Sequence, residues 1–171
     1  MRTRLLTLFT GIGLICAMAL LAPRALATVS AGQRAPAFTL PRLSGGQGSL
    51  SQYRGKVVLI DFWAQWCEPC KKELPALDQL SKTYASKGVA VLLINIDKER
   101  ENAERLVKQL GVNASNVLLD QSGSVAGAYD LPKMPSSFVV DKKGIVRYVN
   151  EGFDGAADVD RFRAELDALA R

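Results

Sequence analysis

Two cysteines separated by two residues, Cys67 and Cys70, are the side chains of this 171-residue sequence best suited to redox chemistry. They follow an apolar run at 57–62 and precede a helical pattern that begins at Lys71, so the segment predicts strand, turn and helix with both thiols at the helix start. A thiol there meets the positive end of the helix dipole and free backbone N–H groups, which favour the thiolate. Cys67 is therefore the candidate nucleophile, and Cys70, one helical turn behind it, is close enough to form a disulfide.

Three other uses of a Cys-x-x-Cys pair compete with that interpretation. A zinc site takes four ligands, whereas the remaining cysteine is Cys16 and the chain has no histidine. Attachment of c-type haem takes Cys-x-x-Cys-His, and Lys71 stands at the histidine position. A purely structural disulfide would close a very short loop and constrain the unfolded chain little. The residues therefore favour a redox-active pair, with no metal site and no cofactor other than the disulfide itself.

The beginning of the chain has the features of an export leader. Arg2 and Arg4 form a basic segment, residues 5–22 are mostly apolar, and residues 25–27 (Ala-Leu-Ala) form a small-x-small motif consistent with cleavage before Thr28. The sequence therefore predicts an exported protein, with its catalytic part in the periplasm.

The boundaries follow from that leader. We predict a signal peptide over 1–27 and one domain over 28–171. An alternative is an uncleaved anchor, in which residues 5–22 act as a membrane tether, because about 18 apolar residues approach the length that spans a bilayer. Lipid attachment at Cys16 is a weaker alternative.

The charge of the chain indicates no polyanionic partner. The net charge of +5 includes Arg2, Arg4 and Arg24 of the leader, and the rest of the chain carries 19 basic and 17 acidic residues. We therefore predict no nucleic-acid binding. With 48% apolar residues, a single domain with a substantial core is expected.

The rest of the chain predicts strands and helices in alternation. Near-continuous apolar runs are typical of parallel strands covered on both faces, and apolar residues at helical spacing predict helices between them. The expected elements are a strand at 37–40 with a turn at 44–48, strands at 57–62 and 89–94, a helix from 71 to 84, a helix ending at Gly111, a strand at 117–119, a helix at 124–129, a hairpin over 138–149 and a last helix over 159–169. This order predicts an α/β fold with a mixed central sheet flanked by helices.

Two motifs carry a family resemblance. Residues 61–70, Asp-Phe-Trp-Ala-Gln-Trp-Cys-Glu-Pro-Cys, resemble the active-site segment of the thioredoxin superfamily, and the following Lys-Lys-Glu resembles its TlpA/ResA-like branch. Met134 and Pro135, followed by Ser-Ser-Phe-Val-Val-Asp, resemble the cis-proline loop of that branch. The resemblance implies a thioredoxin fold with an N-terminal hairpin and a central helix-strand insertion, and the activity of a thiol-disulfide oxidoreductase.

The resemblance also implies how substrate would be bound. Cys67 would be the exposed attacking thiolate, and Cys70, buried behind it, would resolve the mixed disulfide. Trp66 would form an apolar platform beside the thiol, with Pro69 next to it, although plain packing is the alternative for Trp66. The backbone of Met134, preceding a cis Pro135, would pair with an extended substrate.

Three acids accompany the cysteines. Asp61 closes a buried apolar run, where a lone carboxyl tends to be protonated; below Cys70 it could accept and return that thiol's proton, unless it is a solvated residue at a strand end. Thioredoxin has an Asp at the matching place, and ResA-like proteins often do not. Glu68 and Glu73 are either first-turn acids that complement the helix dipole or groups that tune the pair, Glu68 by opposing ionisation of Cys67.

Two further polar residues, Asn95 and Asp97, follow a predicted core strand. They could line the site, but the position of Asp97 favours a helix N-cap instead.

The function predicted first is a dithiol reductant of exported proteins, with apocytochrome c the leading substrate by resemblance and a membrane protein as electron donor. Strong oxidants stabilise the reduced dithiol, often with an imidazolium between the cysteines, and Glu-Pro supplies none. A peroxiredoxin-like peroxidase is one alternative, because residues 31–40 resemble a peroxiredoxin start, but Pro-x-x-x-Thr-x-x-Cys is absent. The other is a soft-metal chaperone that uses Cys67 and Cys70.

Overall fold

A computed structural model describes residues 28–171. The predicted signal peptide over 1–27, the tether over 5–22 and Cys16 therefore lie outside the described residues. Among residues 28–171, no helix combines the length and the apolar character that crossing a bilayer demands.

Strands and helices alternate after a short N-terminal hairpin, as predicted. The strands within the described residues are β1 (Thr39–Pro41), β2 (Gln47–Ser49), β3 (Val57–Trp63), β4 (Val89–Asn95), β5 (Val117–Leu119), β6 (Ser136–Val140) and β7 (Val146–Glu151). The helices are α1 (Glu68–Tyr84), α2 (Arg100–Leu110), α3 (Ser124–Tyr129) and α4 (Ala156–Ala170). The hairpin strand expected at 37–40 begins at Thr39, because its partner strand ends at Ser49, which lies opposite Thr39.

The central sheet has five strands in the order β5-β4-β3-β6-β7. β3, β4 and β5 are parallel to one another, whereas β6 and β7 run antiparallel to their neighbours. The segment from α2 to β5 is the predicted helix-strand insertion, and it adds β5 at one edge of the sheet. The mixed α/β architecture predicted from the sequence is confirmed.

The central strand β3 is buried along its whole length because both faces of the sheet are covered. Successive side chains point to opposite faces. Leu59 and Trp63 pack with α1, α2 and α4, while Ile60 and Phe62 pack with α3 and the N-terminal segment. By this alternation Asp61 belongs to the face that α1 covers.

The end of β3 positions the cysteine pair. A four-residue loop joins β3 to α1, and Cys67 is the N-cap residue of α1.

α2 ends at Gly111, as predicted, where φ is 68° and the left-handed conformation favours glycine. The prediction that Asp97 caps a helix is wrong: α2 begins at Arg100, and the residue before it is Glu99.

Candidate active site

Cys67 and Cys70 form a disulfide at the start of α1. Their Cα atoms are 5.3 Å apart, and the backbone N–H of Cys70 donates to the Cys67 sulfur at 3.3 Å. The same N–H would meet a Cys67 thiolate in the reduced protein, where it and the helix dipole favour the charged sulfur. Strand, turn and helix therefore meet at the sulfur pair, as predicted from the sequence.

The two sulfurs differ in access. Cys70 has no exposed surface and Cys67 is 4% exposed. The expectation of an exposed Cys67 is therefore wrong in degree for the disulfide form, because Cys67 packs in the same core as Trp63 and Leu74. Only the edge of Cys67 can be approached by another thiol, and Trp66, 61% exposed, lies beside that edge in the chain.

Asp61 lies in the middle of the sheet, on the face that packs against α1. It is 1% exposed, and within the described residues neither of its carboxyl oxygens has a hydrogen-bond partner. Burial, and then the charge of Glu73, raise the pKa of Asp61 well above its ordinary value. The alternative of a solvated residue at a strand end is excluded, and the carboxyl is protonated near neutral pH in the disulfide form.

Glu73 is the second buried acid, and it lies on the stripe of α1 that also carries Cys70 and Leu77. It is 1% exposed, so the alternative of a first-turn acid exposed at the helix start is wrong for this residue. Burial, and then the charge of the nearby Asp158, raise the pKa of Glu73, and Arg161 offsets part of that rise, so that the pKa is about 8. Glu73 therefore ionises first, and its charge then opposes ionisation of Asp61.

Two charged residues of α4, Asp158 and Arg161, lie close enough to Glu73 to shift its pKa, and they belong to a polar network with β7 that sequence reasoning missed. Arg161 Nη1 forms a salt bridge with Asp158 Oδ1 at 2.6 Å, and Arg161 Nε donates to Asn150 Oδ1 at 2.9 Å. Asn150 Nδ2 in turn donates to Glu165 Oε2 at 3.0 Å. Asp158 and Glu165 share the spacing of the buried face of α4, and this spacing was the available signal.

Glu68 and Pro69 lie on the exposed first turn of α1. Glu68 Oε1 accepts from Lys71 Nζ at 2.5 Å, and its side chain is 76% exposed. Such a pair in water is worth about 0–1 kcal/mol, and Lys71 compensates much of the negative charge that Glu68 would present to Cys67. Pro69 occupies a helix position whose N–H would have no intrahelical partner.

Asp97 supports the loop that leads to Cys67. Its Oδ2 accepts from the backbone N–H of Gln65 at 2.8 Å and from Asn95 Nδ2 at 2.7 Å. Asn95 is fully buried and Asp97 is 4% exposed. Hydrogen bonds from one buried and one partly buried donor to the same carboxylate hold Gln65, and with it Trp66 and Cys67, in place.

Met134 and Pro135 form the predicted loop between α3 and β6. The peptide bond between them is cis, which confirms the prediction for Pro135. Pro135 is buried, and its carbonyl accepts from the backbone N–H of Gly152 at 2.8 Å. Met134 is half-buried and packs at the edge of the core that contains Cys67. Binding of a substrate strand by Met134 stays a prediction.

Among residues 28–171, no three side chains of His, Cys, Asp or Glu come together in a way that could hold a metal ion.

Comparison with known proteins agrees with this geometry. The sequence pattern of the AhpC/TSA family matches residues 31–149. The thiol-disulfide oxidoreductase ResA of Geobacillus kaustophilus is 33% identical over 133 residues, which cover 78% of this chain and 76% of that protein. ResA of Bacillus subtilis is 36% identical over 125 residues, covering 73% of this chain and 69% of that protein.

A solved structure shows the same fold. A crystal structure described as a thiol:disulfide interchange protein DsbE of Chlorobium tepidum superimposes with a TM-score of 0.79 at 32% identity. The match covers 84% of this chain and 100% of that one.

Proposed function

The chain belongs to the AhpC/TSA family and is a thiol-disulfide oxidoreductase of the ResA-like kind, and from that premise we propose that it reduces disulfides of exported proteins. The observation that carries the proposal is the disulfide at the start of α1, with one approachable sulfur and two buried protonated acids on the face of the sheet that α1 covers.

The reductive half of the cycle begins from a Cys67 thiolate and a Cys70 thiol. Cys67 attacks a substrate disulfide, forms a mixed disulfide and releases the first substrate thiolate, which takes a proton from water. Cys70 then loses its proton to the Asp61 carboxylate and attacks the Cys67 sulfur. The second substrate thiolate leaves, so two electrons have passed from the cysteine pair to the substrate.

In the other half of the cycle, a donor reduces the disulfide form of the protein. A donor dithiol attacks the Cys67 sulfur, because Cys70 has no exposed surface. The bond to Cys70 breaks, and the leaving thiolate would be buried and costly. Protonated Asp61 supplies the proton, and the raised pKa of this carboxyl in the disulfide form keeps the proton available. The second thiol of the donor then loses its proton to water and attacks the donor sulfur that is bonded to Cys67, which leaves the donor as a disulfide and releases the Cys67 thiolate.

The residues around the pair support a reductant. An oxidant needs strong stabilisation of its reduced thiolate, and here Glu68 and Pro69 separate the cysteines in a chain without histidine. Buried, unpaired Asp61 and Glu73 give no positive charge to a thiolate. We therefore expect a reduction potential well below about −120 mV, the value typical of a strong oxidant.

The substrate and partner follow from the predicted location. The exposed Trp66 and the backbone of Met134 are the proposed contacts for an extended substrate, with Pro69 and Pro135 beside them. We propose a periplasmic protein that is exported by its leader, or held by residues 5–22, and recharged by a membrane electron donor. We propose apocytochrome c cysteines as the leading substrate class and the Cys67–Cys70 disulfide as the redox group.

Four measurements on the same preparation separate this function from its alternatives. A reductant catalyses reduction of insulin by dithiothreitol, and its titration against glutathione or dithiothreitol gives a potential well below about −120 mV. A potential near or above that value would overturn the direction proposed here. Rapid peroxide consumption without insulin reduction would indicate a peroxidase, and tight binding of Cu(I) by the reduced pair would indicate a soft-metal chaperone.

A further inference from the structure

A cavity of about 270 Å³ lies at the end of the sheet away from the disulfide. It is formed where β3 begins and where the turn at 141–144 joins β6 to β7. Cys67 follows the other end of β3, and seven strand residues at about 3.3 Å each separate the two ends by about 23 Å. An occupant of this cavity therefore leaves the disulfide free to react.

Cationic side chains surround this cavity. They are Arg34, Arg54, Lys56, Lys142 and Lys143. Arg34 Nη1 donates to the Lys143 carbonyl at 3.4 Å, and Lys142 Nζ donates to the Arg171 carbonyl at 2.7 Å. Within residues 28–171, none of the five forms a salt bridge with an Asp or Glu side chain.

The acid that lines the cavity, Asp141, is occupied by its own turn. Its Oδ1 accepts from the backbone N–H groups of Lys143 at 2.9 Å and Ile145 at 3.0 Å, and its Oδ2 accepts from Arg147 Nε at 2.7 Å. Although burial alone would raise the pKa of Asp141, these bonds and the charge of Arg147 hold it below its usual value. Asp141 therefore does not offset the charge of the five cations of the cavity.

The walls between these cations are apolar. Ala35, Leu50, Val58 and Val140 line the cavity, and Tyr53 closes one side. Its volume lies just below the range of about 300–1,000 Å³ that is usual for small-molecule sites. A ring of cations around apolar walls fits an anion attached to an apolar group, and a bare inorganic anion would leave the walls unused.

The distribution of charge in the domain and the position of its N-terminal segment favour a membrane surface as the partner of this cavity. Residues 28–171 carry 19 basic and 17 acidic residues, and five of the basic ones converge here, so the domain has a positive end that an anionic surface would orient. The predicted leader joins the described chain at Thr28, six residues before Arg34. Backbone bonds from Gly32 to Val146 at 2.8 Å and from Ala35 to Gly144 at 3.0 Å hold this segment at the rim of the cavity.

We propose that this cavity binds the phosphate headgroup of an anionic phospholipid, so that the domain rests on the bilayer by its basic end and presents the disulfide to the aqueous side. The proposal concerns a surface remote from Cys67 and does not depend on the direction of electron flow.

Hydrogen exchange of the full chain on lipid vesicles tests this proposal. If the leader inserts into the bilayer, it does so in phosphatidylcholine vesicles whether or not they contain phosphatidylglycerol. The difference in exchange rate between the two vesicle types therefore reports binding of the anionic headgroup. We expect peptides covering 50–56 and 140–147 to exchange at least about fivefold more slowly when phosphatidylglycerol is present. High salt should reduce this slowing, because it screens the attraction between the cations and the headgroups. Arg54→Gln/Lys56→Gln removes two cations, which weakens binding about thirtyfold, and should abolish the difference.

A matched double variant controls for the loss of charge. Lys98 and Lys108 are exposed and lie away from the cavity, so Lys98→Gln/Lys108→Gln should keep the protection. Insulin reduction should be unchanged in both double variants, which separates this test from that of the proposed function. Equal exchange in the two vesicle types would overturn the proposal. The proposal would also be overturned if soluble glycerol phosphate protected these peptides equally, or if Lys98→Gln/Lys108→Gln lost the protection to the same extent as Arg54→Gln/Lys56→Gln.

Discussion

Replacing Glu73 by Gln should remove much of the pH dependence of this protein's stability. Burial raises the pKa of Glu73 from 4.5 to about 8 in the folded protein, whereas the carboxyl titrates near its ordinary value in the unfolded chain. Between these two pH values the folded state binds more protons than the unfolded state, so the free energy of unfolding falls as pH rises. The stabilising difference is complete below the unfolded pKa and is lost as pH rises through about 8.

The size of this effect follows from the same shift. One pKa unit corresponds to about 1.4 kcal/mol, so a change from 4.5 to about 8 amounts to something on the order of 5 kcal/mol across that range. The pKa of Asp61 is raised in the same direction, and Asp61 adds to the slope. Gln at position 73 keeps the shape of the side chain and does not ionise. The contribution of Glu73 to the slope of stability against pH, up to about 1.4 kcal/mol per pH unit, should therefore disappear.

Urea unfolding of the oxidised protein at several pH values between about 5 and about 8 measures this slope. Glu151→Gln is the matched control, because Glu151 is an exposed glutamate at the end of β7. We expect the wild type and Glu151→Gln to lose stability steeply toward pH 8. Glu73→Gln should have a slope that is smaller by up to about 1.4 kcal/mol per pH unit, because only the contribution of Asp61 remains. If Glu73→Gln kept the wild-type slope, the argument that this acid is buried and protonated would be wrong.

Three further changes have defined outcomes. Asp61→Asn should slow the second, resolving step of a single turnover at pH 7 by about 100-fold or more, measured as release of the second substrate thiol; an unchanged rate would remove Asp61 from the mechanism. Asp97→Ala leaves the buried Asn95 amide and the partly buried Gln65 N–H without this acceptor and should lower the free energy of unfolding by about 1–3 kcal/mol, seen in urea unfolding; the absence of any loss would contradict the support of the Gln65 loop. Glu68→Gln removes one exposed ion pair and should change stability by less than about 1 kcal/mol, with a larger change indicating a burial that the structure does not have.

Much of the fold could be predicted because local patterns and global packing agree. The apolar run of β3 has no polar alternation because that strand is covered on both faces. The start of α1 could be predicted at the cysteine pair, because Pro69 favours the first turn of a helix and apolar residues at helical spacing follow directly. Gly111 marks a helix end because its backbone is left-handed there.

The electrostatics of the site could not be predicted in the same way. Glu73 lies on the buried stripe of α1, but a glutamate at such a position suggests an exposed face, and only the packing of α1 on the sheet decides otherwise. The position of Asp97 after a strand predicts a helix cap, whereas its partner Gln65 is 32 residues away in sequence. Arg161 reaches the acids from α4, an element whose docking no local pattern specifies.

The most direct test of the central claim is a comparison of two cysteine variants with a disulfide substrate, followed by mass spectrometry. Cys70→Ser should accumulate a mixed disulfide at Cys67, because the attacking sulfur remains and the resolving one is gone. Cys67→Ser should accumulate none, since Cys70 has no exposed surface. Trapping at Cys70 in the Cys67→Ser variant, or no adduct in either variant, would contradict the assignment of Cys67 as the sulfur that exchanges electrons with other proteins.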